Sequence, residues 1–176
     1  MGESIELSPV THITAGCVGS QGERTFYIQA RKDDVLVTLL CEKFQVQQVA
    51  TGIEQFVNEL QEKYPDLPVA IADYREVEME LEEPLEPVFR VGQMGLGYDE
   101  ENDLIVLVAQ ELAEGESEDD EQETSTARFW GSRSQLLSMG AYGSTVSARG
   151  RPTCGNCLQP IDPSGHFCPR RNGHQH

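Results

Sequence analysis

The chain has 176 residues, 38% of them apolar, with a formal net charge of −17. That length suffices for one domain with its own core and a small appendage, and no run approaches the roughly 18 uncharged apolar residues that span a bilayer. Residues 1–149 hold 10 Lys/Arg against 29 Asp/Glu and residues 150–176 hold 3 against 1, so the body repels nucleic-acid phosphates and anionic lipid.

The opening Met1-Gly2-Glu3-Ser4-Ile5-Glu6 has neither the basic nor the apolar region of a signal peptide. A cytoplasmic protein with no membrane partner is the expectation. From residue 9 to residue 40 the pattern predicts three strands. Residues 9–18 are short and mixed, 24–30 are rich in β-branched and aromatic side chains, and 35–40 form a near-continuous apolar run. Turns at 19–22 and 31–34 make this a meander of hairpins. The period then changes. Val46, Val49, Ile53, Phe56, Val57, Leu60 and Tyr64 recur every three or four residues, which predicts an amphipathic helix over 43–64, stopped by Pro65.

Residues 65–87 read as a proline-punctuated connector. Within it Glu76, Glu78, Glu80 and Glu82 alternate with Val77, Met79 and Leu81, which predicts a half-buried strand with an acidic outer face or, failing that, an extended linker. The second half then follows the order of the first: a strand near 89–94, a turn at 99–103, strands at 104–110 and 126–130, and a helix opened by the capping box Ser132-Arg133-Ser134-Gln135. Gly140, Gly143 and several serines predict that this helix is less regular. The acid-rich stretch 113–125 cannot bury anything and is expected to be a disordered loop. The expected architecture is therefore α+β: two β-β-β-α units with antiparallel sheet over 1–149, followed by a metal-binding segment at 150–176.

That segment carries the chemistry. Three of the five cysteines and three of the four histidines fall between residues 154 and 176, in the spacing C-x2-C-x8-H-x-C. Cys154 and Cys157 form a knuckle, and the turn Asp162-Pro163-Ser164-Gly165 can return His166 and Cys168 toward it. Three thiolates and an imidazole suit tetrahedral Zn²⁺, and so short a piece draws its folding energy from the metal. The fourth ligand is open between His166 and His174, with His176 or water behind them. A filled Cys3His site has no free position and is structural; an unfilled one is not. Cys17 and Cys41 read as packing residues. His12 with Cys17 lacks an orienting acid and makes a poor nucleophile pair. The glycines at 16, 19 and 22 and at 92, 95 and 97 read as hairpins or bulges rather than phosphate loops. Arg24 and Arg90 read as salt-bridge partners.

Taken together, Gly16, Val18-Gly19, the 24–30 strand, Glu42-Lys43, Gln45-Val46, Phe89-Arg90-Val91-Gly92, Met94 and the motif from Arg151-Pro152 through Cys154, Cys157, His166 and Cys168 to Asn172-Gly173 resemble the DUF3090 family of Actinobacteria and Chloroflexi. The resemblance implies a cytoplasmic bacterial protein and no assigned activity. In that family the position of His174 is often aromatic, which favours His166. Family members also occur beside a histidine-phosphatase-like and a kinase-like protein, which implies a protein partner in a shared pathway. The long acidic loop and the serine- and glycine-rich second helix depart from the family pattern. Three functions are weighed: a non-enzymatic binding or adaptor protein with a structural zinc; an enzyme acting on a phosphorylated or nucleotide-like ligand between the two units, through Arg24, Tyr27 and Arg90; and a zinc ribbon binding nucleic acid through Arg151, Arg170 and Arg171.

Overall fold

The computed structural model describes residues 2–20, 22–113 and 124–149. The elements are β1 (Ser4–Leu7), β2 (His12–Val18), β3 (Thr25–Lys32), β4 (Val35–Cys41), α1 (Lys43–Lys63), α2 (Glu76–Met79), β5 (Phe89–Asp99), β6 (Leu104–Glu111), β7 (Thr126–Gly131) and α3 (Arg133–Ala148). All strands belong to one sheet in the order β1-β7-β6-β5-β4-β3-β2. The α+β class agrees with the sequence reading, as does the order of β2 to α1 and of β5 to α3; β1 and the helical turn α2 were not expected. The wholly antiparallel sheet does not agree. β4 pairs with β5 in parallel at Leu39–Phe89 and Leu40–Arg90, and β1 pairs with β7 in parallel from Ser4–Thr126 to Leu7–Phe129. Each parallel join links strands from opposite halves of the chain, so neither is visible to local periodicity.

The sheet curls back on itself. Its outermost strands, β1 and β2, are consecutive in the chain. Between them Val10 N donates to Trp130 O of β7 at 2.7 Å, and Thr11 N donates to Arg31 O of β3 at 2.7 Å. This short segment therefore ties both ends of the sheet together and leaves less exposed edge.

α1 and α3 pack against each other. Val46, Val49, Ala50, Ile53, Val57 and Leu60 are buried along α1, the stripe the periodicity marked. α3 is a continuous helix, not the less regular one that its glycines suggested. Those glycines are where it meets α1: a Cβ at Gly140 would lie 3.1 Å from Ala50 Cα, and one at Gly143 would lie 2.9 Å from Val46 Cγ1. Close backbone approach, not helix propensity, explains them. As 143 meets 46 and 140 meets 50, the helices run antiparallel. Between them and the sheet lie Ile28, Leu39, Ile105, Leu107, Phe129, Leu136 and Met139, all without solvent exposure.

Matching glutamines fix the start of each helix. Gln45 Oε1 accepts from Glu42 N at 2.8 Å while its Nε2 donates to Val91 O at 3.0 Å. Gln135 Oε1 accepts from Ser132 N at 2.9 Å while its Nε2 donates to Val10 O at 3.3 Å. Each helix thus caps its own N-terminus and holds the leading strand of the other half. The expected capping box at Ser132 is present; the one at Glu42 and Gln45 was not anticipated.

The expected strand at 76–82 is instead the single helical turn α2 followed by extended chain. Glu78 N bonds to Arg75 O within the turn, and Val77 is exposed. The apolar alternation marks two anchors, not a pleat. Met79 is buried against Tyr142 and Val146, and Leu81 covers Gly16. Polar bonds hold the same stretch: Thr14 Oγ1 donates to Met79 O at 2.6 Å, and Arg31 grips the Glu82 carboxylate with two bonds of 2.8 and 2.9 Å. The residues 114–123 of the expected acidic loop lie outside the described ones; at its base Ser125 N donates to Glu111 Oε1.

The helix crossing yields a paired expectation. Gly143→Ala improves local helix propensity yet forces a methyl onto Val46, so it should cost on the order of 1–3 kcal/mol. Gly52→Ala meets nothing nearer than Leu96 Cδ1 at 3.8 Å and should gain about 0.5–1 kcal/mol. Urea unfolding midpoints of the two variants check this.

Candidate functional site

A groove of ≈ 480 Å³ lies between α1 and β5. Phe44, Gln48, Val49 and Gly52 supply one wall from α1; Gly92, Gln93, Met94 and Leu96 supply the other from β5. Phe44 stands off the buried stripe and is 56% exposed although it is a large apolar side chain. Its lining consists of apolar and amide side chains, with no acid, base or nucleophile among them.

The β5 wall has an unused edge. β5 pairs with β6 along its length, but with β4 only at Phe89 and Arg90. Beyond Arg90 the second edge faces the groove with no strand partner among the described residues. The parting comes at a bulge: the β5–β6 register shifts between Val91 and Gln93. Gly92 sits there because a Cβ would come within 2.8 Å of Leu112 Cα. The bulge expected from this glycine is present. Such a groove offers an apolar floor, amide hydrogen bonds and a free strand edge, which suit an extended polypeptide.

A smaller cleft of ≈ 200 Å³ lies between α3 and β2. Ser134, Gln135 and Ser138 line it from α3 and His12 and Ile13 from β2, the counterparts of the α1 and β5 walls. The connector lies over this cleft with Asp73, Tyr74, Glu78 and Met79. Ile71 N donates to Ser134 Oγ at 3.3 Å, and Tyr74 meets Tyr142 edge to face at 5.8 Å.

Arg24, Tyr27 and Arg90 do not converge on either space. Arg24 donates to the α3 carbonyls Val146 O at 2.8 Å and Ser147 O at 3.3 Å, and its guanidinium stacks on Phe26. It is a cation at a helix C-terminus, where the exposed carbonyls favour it, rather than a salt-bridge partner. Arg90 pairs with Glu42 at 2.9 Å, as expected. Tyr27 faces Gly16 and Leu40 in the sheet register. His12 and Cys17 stand at opposite ends of β2 and point to opposite faces. Cys41 is buried, and burial pushes its thiol up to about 12. The proposed metal ligands Cys154, Cys157, His166 and Cys168, with His174 as alternative, lie outside the described residues. Among the described residues no cluster of three or more His, Cys, Asp or Glu could hold a metal ion, and no helix is long and apolar enough to cross a membrane.

The sequence reading passed over one buried charge. Arg133, 5% exposed, grips Asp103 with bonds of 2.8 and 3.1 Å, and Tyr98 donates its hydroxyl to Asp103 at 2.8 Å. The Arg133 bond holds the Asp103 carboxyl below its ordinary value, while burial pushes the Tyr98 hydroxyl up to about 12. This cluster ties the β5–β6 turn to the start of α3. Arg133 lay hidden inside the capping box, and its partner is thirty residues earlier in the chain.

Two measurements follow from these groups. The Asp103 pair stabilises fully above the ordinary carboxylate value of 3.8 and is lost as pH falls through the lower folded value. Asp103→Asn should therefore lose stability on the order of 1–3 kcal/mol at neutral pH, because Arg133 keeps its burial without its counter-charge. The same variant should show a shallower fall in stability with acid, read as unfolding midpoint against pH. Cys41 should stay unalkylated by iodoacetamide at pH 8 in the native protein and react on denaturation, followed by peptide mass spectrometry.

A family model described as "Protein of unknown function (DUF3090)" matches residues 5–168, so the chain belongs to that family. No curated protein and no solved structure matches.

Proposed function

We propose a binding role: the protein is a non-enzymatic adaptor whose body carries a cysteine-rich module closed on a structural zinc ion, presented to a protein partner. The observation that carries the reading is the groove between α1 and β5, whose apolar and amide lining and free strand edge suit polypeptide. The charges near the sheet are engaged in structural bonds: Arg24 on α3, Arg31 on Glu82 and Arg133 on Asp103.

Cys154, Cys157, Cys168 and His166 are the proposed zinc ligands. What supports His166 over His174 is the extent of the family match, which runs through Cys168 and ends before His174. Four soft and borderline donors fill a tetrahedral shell and leave no position for substrate. We read the two β-β-β-α units as copies of one unit; the crosswise glutamines Gln45 and Gln135 support that reading.

Metal analysis of the purified chain should find about one zinc per molecule. Cys168→Ser and His166→Ala should lose it, and His174→Ala should keep it. Zinc-free wild type, or loss of metal only in the His174 variant, contradicts the assignment. Turnover of a phosphorylated or nucleotide substrate that survives zinc removal contradicts the adaptor reading.

A further inference from the structure

The two spaces beside the helix pair occupy equivalent places in the fold. Gln45 and Gln135 each hold the third position of their helix and bond to the strand alongside, at Val91 O and Val10 O. Counted from these anchors, Phe44, Gln48 and Gly52 of α1 stand where Ser134, Ser138 and Tyr142 stand in α3. Gln93 and Met94 of β5 likewise stand where His12 and Ile13 stand in β2. The first set lines the groove of ≈ 480 Å³; the second, Tyr142 excepted, lines the cleft of ≈ 200 Å³.

The cleft shows what such a space holds. Its occupant is polypeptide: the connector passes Ser134 Oγ at Ile71 and packs Tyr74 and Met79 on Tyr142. Its backbone then meets β2, where Thr14 Oγ1 donates to Met79 O. In the groove the place of Tyr142 belongs to Gly52, and a Cβ there would meet nothing nearer than Leu96 Cδ1 at 3.8 Å. The room for one large side chain is therefore left free beside the exposed Phe44 ring.

Both walls of the groove run on to an acidic end. On α1 the stripe of Phe44, Gln48 and Gly52 continues through Gln55 to Glu59 and Glu62, all three exposed. β5 runs on to Asp99, with Glu100 and Glu101 next in the turn. Tyr64 against Tyr98 at 5.8 Å brings the two ends side by side. The nearby cations are engaged: Arg133 with Asp103, and Lys63 over the Tyr64 ring.

We propose that the groove between α1 and β5 binds an extended segment of a partner protein, one that carries an aromatic or large aliphatic side chain for the space over Gly52 and Lys or Arg side chains toward Glu59, Glu62 and Glu100. The proposal rests on the adaptor reading and deepens it by stating what the partner presents. The edge of β5 past Arg90 supplies backbone hydrogen bonds, and the apolar walls take the anchor. The acidic end selects the charge. It repels acidic segments, the connector of a second copy with Glu76, Glu78, Glu80 and Glu82 among them.

Panning a random dodecapeptide phage library on the full chain as purified tests this. Synthetic peptides of the enriched sequences are then titrated by fluorescence anisotropy. They should combine an aromatic or large aliphatic residue with Lys or Arg. Their affinity should fall at least several-fold in Gly52→Trp, which fills the groove, and in the double variant Glu59→Gln with Glu62→Gln, and it should weaken with added salt. Gln48→Trp replaces Gly52→Trp if the latter fails to fold. Acidic or neutral peptides that Gly52→Trp displaces overturn the basic partner while upholding the groove as a polypeptide site. No enrichment, or peptides indifferent to both tryptophan variants, overturn the groove as a docking site and with it the observation that carries the adaptor reading. Self-association seen in sedimentation and lost in Gly52→Trp overturns the proposal in favour of a second copy.

Discussion

The close crossing of α1 and α3 is the constraint on which the rest depends. Gly140 and Gly143 let the two backbones meet at Ala50 and Val46. With that distance fixed, each helix lies next to the first long strand of the other half, α3 by β2 and α1 by β5. Gln45 and Gln135 then bond across the halves. The parallel joins β4–β5 and β1–β7 complete the same exchange within the sheet. A side chain at either glycine would push the helices apart and open both flanking grooves at once.

This geometry places the two described grooves at the flanks. The face between helices and sheet is filled by side chains with no exposure, such as Leu39, Ile105 and Phe129. The flanks are where β2 and β5 run out of strand partners. One flank is closed by the connector through Met79, Leu81 and the Arg31–Glu82 pair. The other holds Phe44, Met94 and Leu96. A large apolar side chain exposed beside an unpaired strand edge is a binding surface or an aggregation hazard.

Much of the fold was legible because its signals are local. The α1 stripe, the hairpins of β2–β4, the capping box at Ser132 and the bulge at Gly92 each follow from residues a few positions apart. β1 escaped because its alternation, Ser4-Ile5-Glu6-Leu7, runs for only four residues. The stretch 76–82 misled because two anchoring side chains two residues apart imitate a strand. The parallel joins, the Arg133–Asp103 pair and the groove walls combine segments tens of residues apart, which spacing alone does not bring together. Phe44 gave the one local hint of the groove: an aromatic side chain placed off the buried stripe of its helix. The cysteine motif, read as metal chemistry, falls outside the described residues.

The most direct test of the account is a double-substitution cycle at the helix crossing, Gly143→Ala with Val46→Ala, read by urea unfolding. A methyl at 143 that meets Val46 Cγ1 predicts that the two losses are less than additive, because Val46→Ala removes the group the new methyl meets. Strictly additive losses, or a Gly143→Ala variant as stable as the wild type, would contradict it.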